Sequence, residues 1–231
     1  MWPTLTLGLL ATLAGLNGFH CLLESALVTD LMKGYNNNVI PRTSAEPVVN
    51  VEHGLAVLRI HNFEHGRLEL DAWVSMMWTD PRLTWNPSDY NNVTSTNVYQ
   101  DQLWIPDIVS WNFKNEELMI NNLRAIVNHK GLVTVVPPIR VVLYCGVSSG
   151  AEEIYTCTAK FGSWTYSGNK VGLANTGGVV DLSDYTENER WEISNSTVVR
   201  HSLVYDCCPE EYAHLAYTLE LKPKHHRHHC D

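Results

Sequence analysis

Three stretches of this chain carry residues whose types and spacing could do chemistry. The first is Tyr205-Asp206-Cys207-Cys208-Pro209-Glu210-Glu211-Tyr212. Adjacent cysteines are a poor metal pattern, because thiolates need a spacer before they converge on one ion. They are either two unrelated thiols or the partners of a vicinal disulfide. Consecutive Cα atoms lie about 3.8 Å apart, short of the roughly 4.4–6.8 Å usual for a disulfide, so such a ring is strained and closes almost no loop. Its effect is local: a stiffened tip that presents the two flanking tyrosines. The second stretch, Gly146-Val147-Ser148-Ser149-Gly150, has the Gly-x-Ser-x-Gly spacing of a hydrolase nucleophile, and Asp181 or Asp184 and His201 or His214 follow in matching order. That nucleophile requires a strand–turn–helix setting, whereas this segment lies between two cysteines in β-rich surroundings, so we read the pattern as chance. The third, His225-His226-Arg227-His228-His229-Cys230, could hold a transition metal weakly but reads as a solvated tail. We expect no metal site, no cofactor and no enzymatic activity.

The elements that must position these residues are bounded first by composition. At 231 residues the chain can bury one sizeable core, and a net charge of -9 disfavours nucleic acid while suiting small cations. Met1 to His20 is an apolar leader of signal-peptide length, without Lys or Arg ahead of its apolar core; cleavage falls between Gly18 and Cys21. The expected division is a signal peptide over 1–21, one domain over 22–224 and a His-rich tail over 225–231. Nothing after the leader approaches 18 consecutive apolar residues, so we expect a secreted, extracellular chain without a membrane span. Oxidising export permits disulfides, and proximity among the six cysteines pairs Cys145 with Cys157 and Cys207 with Cys208. If Cys21 leaves with the leader, Cys230 is an unpaired tail thiol. Asn92 and Asn195 each begin a glycosylation sequon, while Asn86-Pro87-Ser88 is excluded by its proline.

Leu23, Leu27, Leu31 and Met32 recur at helical spacing over Leu22 to Tyr35, with Asn36, Asn37 and Asn38 as a stop. From Val48 onward the texture is that of strands. Leu68, Leu70, Ala72, Val74, Met76 and Trp78 alternate with more polar neighbours, as do Ala213, Leu215, Tyr217, Leu219 and Leu221. Leu132 to Val136, Ile139 to Tyr144 and Ile154 to Phe161 are short β-rich runs, and Gly172 to Glu189 reads as a long surface loop. One helix and many short strands predict an all-β fold, an immunoglobulin-like β-sandwich with an N-terminal helix. Trp73 breaks the alternation: it shares the polar register with Asp71 and Ser75. A large ring there needs a cover, either a loop of its own chain or a neighbouring subunit. Trp78, Trp85 and Trp104 are assigned to packing, and Asp107 to hydrogen bonding in a turn.

Five motifs occur in register: Trp73 to Asn86, Leu103 to Asp107, the Cys145–Cys157 pair, Gly162 to Tyr166, and Tyr205 to Tyr212. Together they resemble the extracellular domain of nicotinic-type Cys-loop ligand-gated channels, and especially the secreted acetylcholine-binding proteins. The likeness runs from about Leu22 to Lys222, and Leu31 to Asn36 looks like the family's N-terminal helix. It implies a homopentamer with a cationic agonist, such as acetylcholine or nicotine, at each subunit interface. The principal face is then Trp111, Trp164, Tyr205, Cys207, Cys208 and Tyr212. The facing subunit supplies Trp73, which settles how that ring is covered, together with Ile126, Thr134 and Val136.

The physics suits those residue types. A quaternary ammonium donates no strong hydrogen bond and is best held by aromatic faces worth about 0.5–2 kcal/mol each. Four or five faces reach the roughly 8 kcal/mol of a micromolar complex only with apolar burial and preorganisation. Three departures stand out. Trp111 occupies a position where the family usually has tyrosine. Cys145 and Cys157 enclose eleven residues, fewer than in the receptors. Those eleven, Gly146 to Thr156, lack the Phe-Pro centre that receptors press against their membrane domain. So polar a loop favours a soluble binding protein over the alternative, the ligand-binding domain of a channel subunit.

Overall fold

The structure, a computed structural model, describes residues 22–112, 114–117, 123–148 and 153–224. The expected signal peptide, the His-rich tail, Cys21, Cys230 and part of the Gly146–Gly150 pattern lie outside the described residues. A helix, α1, covers 22–32. The strands are β1 (Val49–Glu64), β2 (Arg67–Thr84), β3 (Ser95–Tyr99), β4 (Ile108–Ser110), β5 (Lys114–Glu117), β6 (Arg124–Asn128), β7 (Lys130–Val135), β8 (Pro138–Tyr144), β9 (Gly146–Val147), β10 (Tyr155–Ser163), β11 (Val171–Ala174), β12 (Trp191–Tyr205) and β13 (Cys208–Pro223). They form two sheets. The larger runs β11-β1-β2-β7-β6-β3, with β8 beside the first half of β2 and β5 beside β8; the smaller runs β12-β13-β10-β4, with β9 on β10. This is the β-sandwich that the alternation predicts, and among the described residues no helix is long and apolar enough to cross a membrane.

Period-2 patterning decides which faces meet. Leu68, Leu70, Ala72, Val74, Met76 and Trp78 all point inward from β2, as do Ala213, Leu215, Tyr217, Leu219 and Leu221 from β13. Leu27 of α1 is buried, and Leu31 and Met32 pack on the same core. The β1–β2 hairpin turns through His65 and Gly66, both at positive φ, as a right-twisted two-residue turn demands. A disulfide joins Cys145, which follows β8 in the larger sheet, to Cys157 of β10 in the smaller one. Near that end Phe63, Tyr155 and Trp191 meet edge to face, with centroids 4.6–5.5 Å apart.

Two sequence expectations need correction. Residues within Gly172 to Glu189 are not simply a surface loop. Val171–Ala174 pairs in parallel with β1, Asp181 bridges Ala56, and Leu173 and Val180 are buried. Few, well-spaced apolar residues among glycines hid this strap, because a four-residue strand has too short a period to read. The helix count is also incomplete: Pro87–Tyr90 and Gln100–Gln102 are single 3-10 turns.

Polar ties hold the α1 end to the sandwich. The Tyr35 hydroxyl donates to Asp80 (2.7 Å), Arg82 binds both Asp80 oxygens (2.9 and 2.7 Å), and the Trp104 amide donates to the Tyr35 oxygen (3.0 Å). Asp80 is fully buried, so these bonds compensate its desolvation. Through Trp104 they also set the start of the Pro106–Asp107 segment, on which the site depends.

Candidate functional site

The smaller sheet turns its outward face to a hollow of about 510 Å³. Trp111, Trp164, Tyr205, Cys207, Cys208 and Tyr212 all line it, so the structure brings the whole expected principal face together. The strands explain how. On β10 the inward register holds Cys157, Ala159 and Phe161, which leaves Lys160, Gly162 and Trp164 facing out. On β13 Tyr212 and His214 take the same outward face. Cys207 and Cys208 are disulfide-bonded at the β12–β13 tip, and the rings of Tyr205 and Tyr212 meet edge to face at 5.8 Å.

Trp164 is 73% exposed and is positioned from behind. Its amide donates to the Asp107 carbonyl (3.1 Å). The Asp107 carboxylate accepts from Ser163 Oγ (2.6 Å), from the Thr165 amide (2.7 Å) and from the Thr165 hydroxyl. Asp107 is therefore the turn residue the sequence implied. Trp111 is fixed through its own amide to Lys160 O (2.8 Å), while Asn112 bonds Lys160 N and Thr158 O, each at 2.8 Å. A Cβ added at Gly162 would overlap the Trp111 ring, so glycine there makes room for it.

Trp73, Ile126, Thr134 and Val136 lie elsewhere, on the outward face of the larger sheet. Thr134 stands opposite both Met77 of β2 and Ile126 of β6, in the register that also places Trp73 outward. Trp73, Ile126 and Val136 are 39%, 51% and 47% exposed, so this chain leaves uncovered the ring that seemed to need a cover. Asp71, its neighbour on the polar register, is buried instead under Arg59 (2.6 Å) and Arg140 (2.8 Å). Burial pushes the Asp71 carboxyl up, but its bonds to the two guanidiniums prevail and hold it below the usual carboxylate range.

The profile of the neurotransmitter-gated ion-channel ligand binding domain matches residues 24–225. The chain belongs to that family. This ligand-binding domain is 33% identical over 210 residues to neuronal acetylcholine receptor subunit alpha-2 of Homo sapiens, covering 89% of the chain and 40% of the relative. It is 34% identical to alpha-2 of Gallus gallus (88% and 39%) and 30% identical to alpha-6 of Rattus norvegicus (93% and 44%). The chain thus spans about two fifths of the length of these relatives.

Other candidates in this ligand-binding domain take structural places. Trp78 and Trp104 are buried edge to face at 6.0 Å, and Trp85 donates to Val93 O (2.7 Å) against the core. Ser148 follows β9, which pairs with β10, and Ser149 and Gly150 of the pattern lie outside the described residues. Asp181 accepts from the Ser183 amide (2.9 Å), and His201 stacks on His214. Asn92 and Asn195 are both exposed. Five further residues line the hollow that sequence reasoning missed: Asn112, Lys160, Ser163, Leu203 and His214. Outward alternation with Trp164 and Tyr212 was the available signal for Lys160 and His214. Burial pushes the His214 imidazole below its usual value, and His201 and Lys160 push it the same way.

Proposed function

We propose that this chain binds acetylcholine, nicotine and related cationic ligands extracellularly, at the interfaces of a homopentameric ring. One observation carries the reading. The hollow built from Trp111, Trp164, Tyr205, Cys207, Cys208 and Tyr212 lies on one sheet, and the exposed Trp73, Ile126, Thr134 and Val136 lie on the outward face of the other. One chain cannot close the first set with the second, but a neighbouring copy can, and head-to-tail repetition of that contact closes a ring. The aromatic faces take the ammonium, and Trp73 of the next copy shuts out water. That the relatives are named acetylcholine receptor subunits supports this ligand class. A signal peptide over 1–21, glycans on Asn92 and Asn195, and no nucleic-acid partner belong to the same proposal.

The comparisons favour the extracellular ligand-binding domain of a nicotinic-type channel subunit as the setting. A soluble, secreted acetylcholine-binding protein is the second reading, favoured by the short polar loop between Cys145 and Cys157. Light scattering and calorimetry on the same sample test the function: a pentamer that saturates with acetylcholine and nicotine is expected. A stable monomer at micromolar concentration, or no saturation up to millimolar ligand, sinks it. Fractionation of the native protein separates the settings, since a channel subunit needs detergent and a soluble binding protein does not.

A further inference from the structure

Among the described residues, the hollow assigned to an ammonium group is lined by no carboxylate and by one ammonium, that of Lys160. Among the described residues no ion pair neutralises Lys160. Asp107, although it adjoins Trp164, is committed to Ser163 and Thr165. Beside Lys160 stands His214, only 3% exposed, with its ring 4.9 Å from Trp111 and 5.1 Å from His201. Its Nδ1 is buried and has no hydrogen-bond partner. An unsatisfied buried polar atom costs about 1–3 kcal/mol, which a ligand acceptor brought to it would recover.

We propose that Lys160 and His214 form an acceptor subsite in this hollow, which favours ammonium ligands that carry a carboxylate at their other end over those that do not. The inference rests on the ammonium reading given above. A bare cation entering here meets the Lys160 charge without compensation. A carboxylate on the same ligand turns that repulsion into a charge-assisted hydrogen bond, and His214, as the Nδ1–H tautomer, donates a second one. Spacing sets the ligand's length. Lys160 and Trp164 face the same way four residues apart, which at the strand rise is about 13 Å between Cα atoms. A ligand that meets both is therefore extended, with its carboxylate several bonds from the ammonium.

The test is calorimetry on the assembled protein with tetramethylammonium, 4-(trimethylammonio)butanoate and the methyl ester of the latter. The butanoate should bind at least about tenfold more tightly than tetramethylammonium, with the ester between them. Lys160→Met should weaken the butanoate at least about tenfold and tighten tetramethylammonium, whereas Lys160→Arg should keep the wild-type order. His214→Phe, which preserves a ring beside Trp111, should narrow the gap between butanoate and tetramethylammonium. Thermal midpoint and oligomer size, read on the same samples, show that each variant is folded; if Lys160→Met fails to assemble, the wild-type ranking and Lys160→Arg still decide. Tetramethylammonium that binds with no gain from the acid tail, or Lys160→Met moving both ligands in the same direction, overturns the subsite alone. No binding of tetramethylammonium overturns the ammonium reading and the subsite with it.

Discussion

Trp78 and Trp164 carry the same side chain into opposite kinds of place. Trp78 sits on the inward register of β2, 1% exposed, with Trp104 edge-on at 6.0 Å and both sheets around it. Trp164 sits just past β10, 73% exposed, with the bonds of Asp107 behind it and open space before it. The two histidines are both buried and differ in their neighbours. In the core, His53 Nδ1 donates to the Tyr217 hydroxyl (2.7 Å), which in turn donates to His53 O (2.7 Å). Among the described residues neither the His214 Nδ1 beside the hollow nor the His53 Nε2 in the core has a hydrogen-bond partner. Trp78 is covered by its own chain, whereas Trp164 is held by polar anchors and left bare.

Replacing each tryptophan should separate the two roles. Trp78→Ala removes a fully buried ring, and the cavity and lost transfer energy should cost about 3–5 kcal/mol of stability, read as a fall in the denaturant midpoint. A loss under about 1 kcal/mol would remove Trp78 from the core side of the contrast. Trp164→Ala should weaken a quaternary ammonium by about 2 kcal/mol, some thirtyfold, and leave thermal midpoint and oligomer size near wild type. A folded, pentameric variant that binds acetylcholine as tightly as wild type would show the hollow is not the site.

The smaller of the two stability effects, read between pH 7.5 and pH 5, belongs to the core histidine. Burial lowers the His53 pKa to about 3, against about 6.5 for an unfolded chain. As the pH falls through this window the unfolded chain binds the proton first. The His53 contribution is therefore fully present above about pH 6.5 and is lost toward pH 3, at up to about 1.4 kcal/mol per pH unit. Denaturation at pH 7.5 and pH 5 should show a flatter dependence for His53→Gln than for wild type. Equal slopes would mean that His53 takes up its proton without unfolding.

Much of this was legible in the residues for identifiable reasons. The inward registers of β2 and β13 alternate over many residues, and a long period-2 signal leaves one way to face a core. Cys145 and Cys157, the vicinal pair and its flanking tyrosines are local, so chain order placed them. The parallel β11 was missed because its partner is distant in sequence and the strand is four residues long. Lys160 was missed because a lysine on an outward register looks like any solvated one until the hollow is seen, and His214 was weighed only as a partner in the hydrolase pattern.

Order and alternation in the sequence settled which residues face in, which face out, and which aromatic residues flank the cysteines. Those are properties of a strand and its nearest neighbours, readable wherever the backbone period is known. Only the tertiary structure decided that Trp111, Trp164 and Tyr212, from three separate segments, share one hollow, and that Trp73 lies on the other sheet. It also decided that His214 is buried there without a partner. Convergence of that kind depends on which strands pair and how the sheets stack, and those long-range contacts leave no trace in the spacing of residues along one strand.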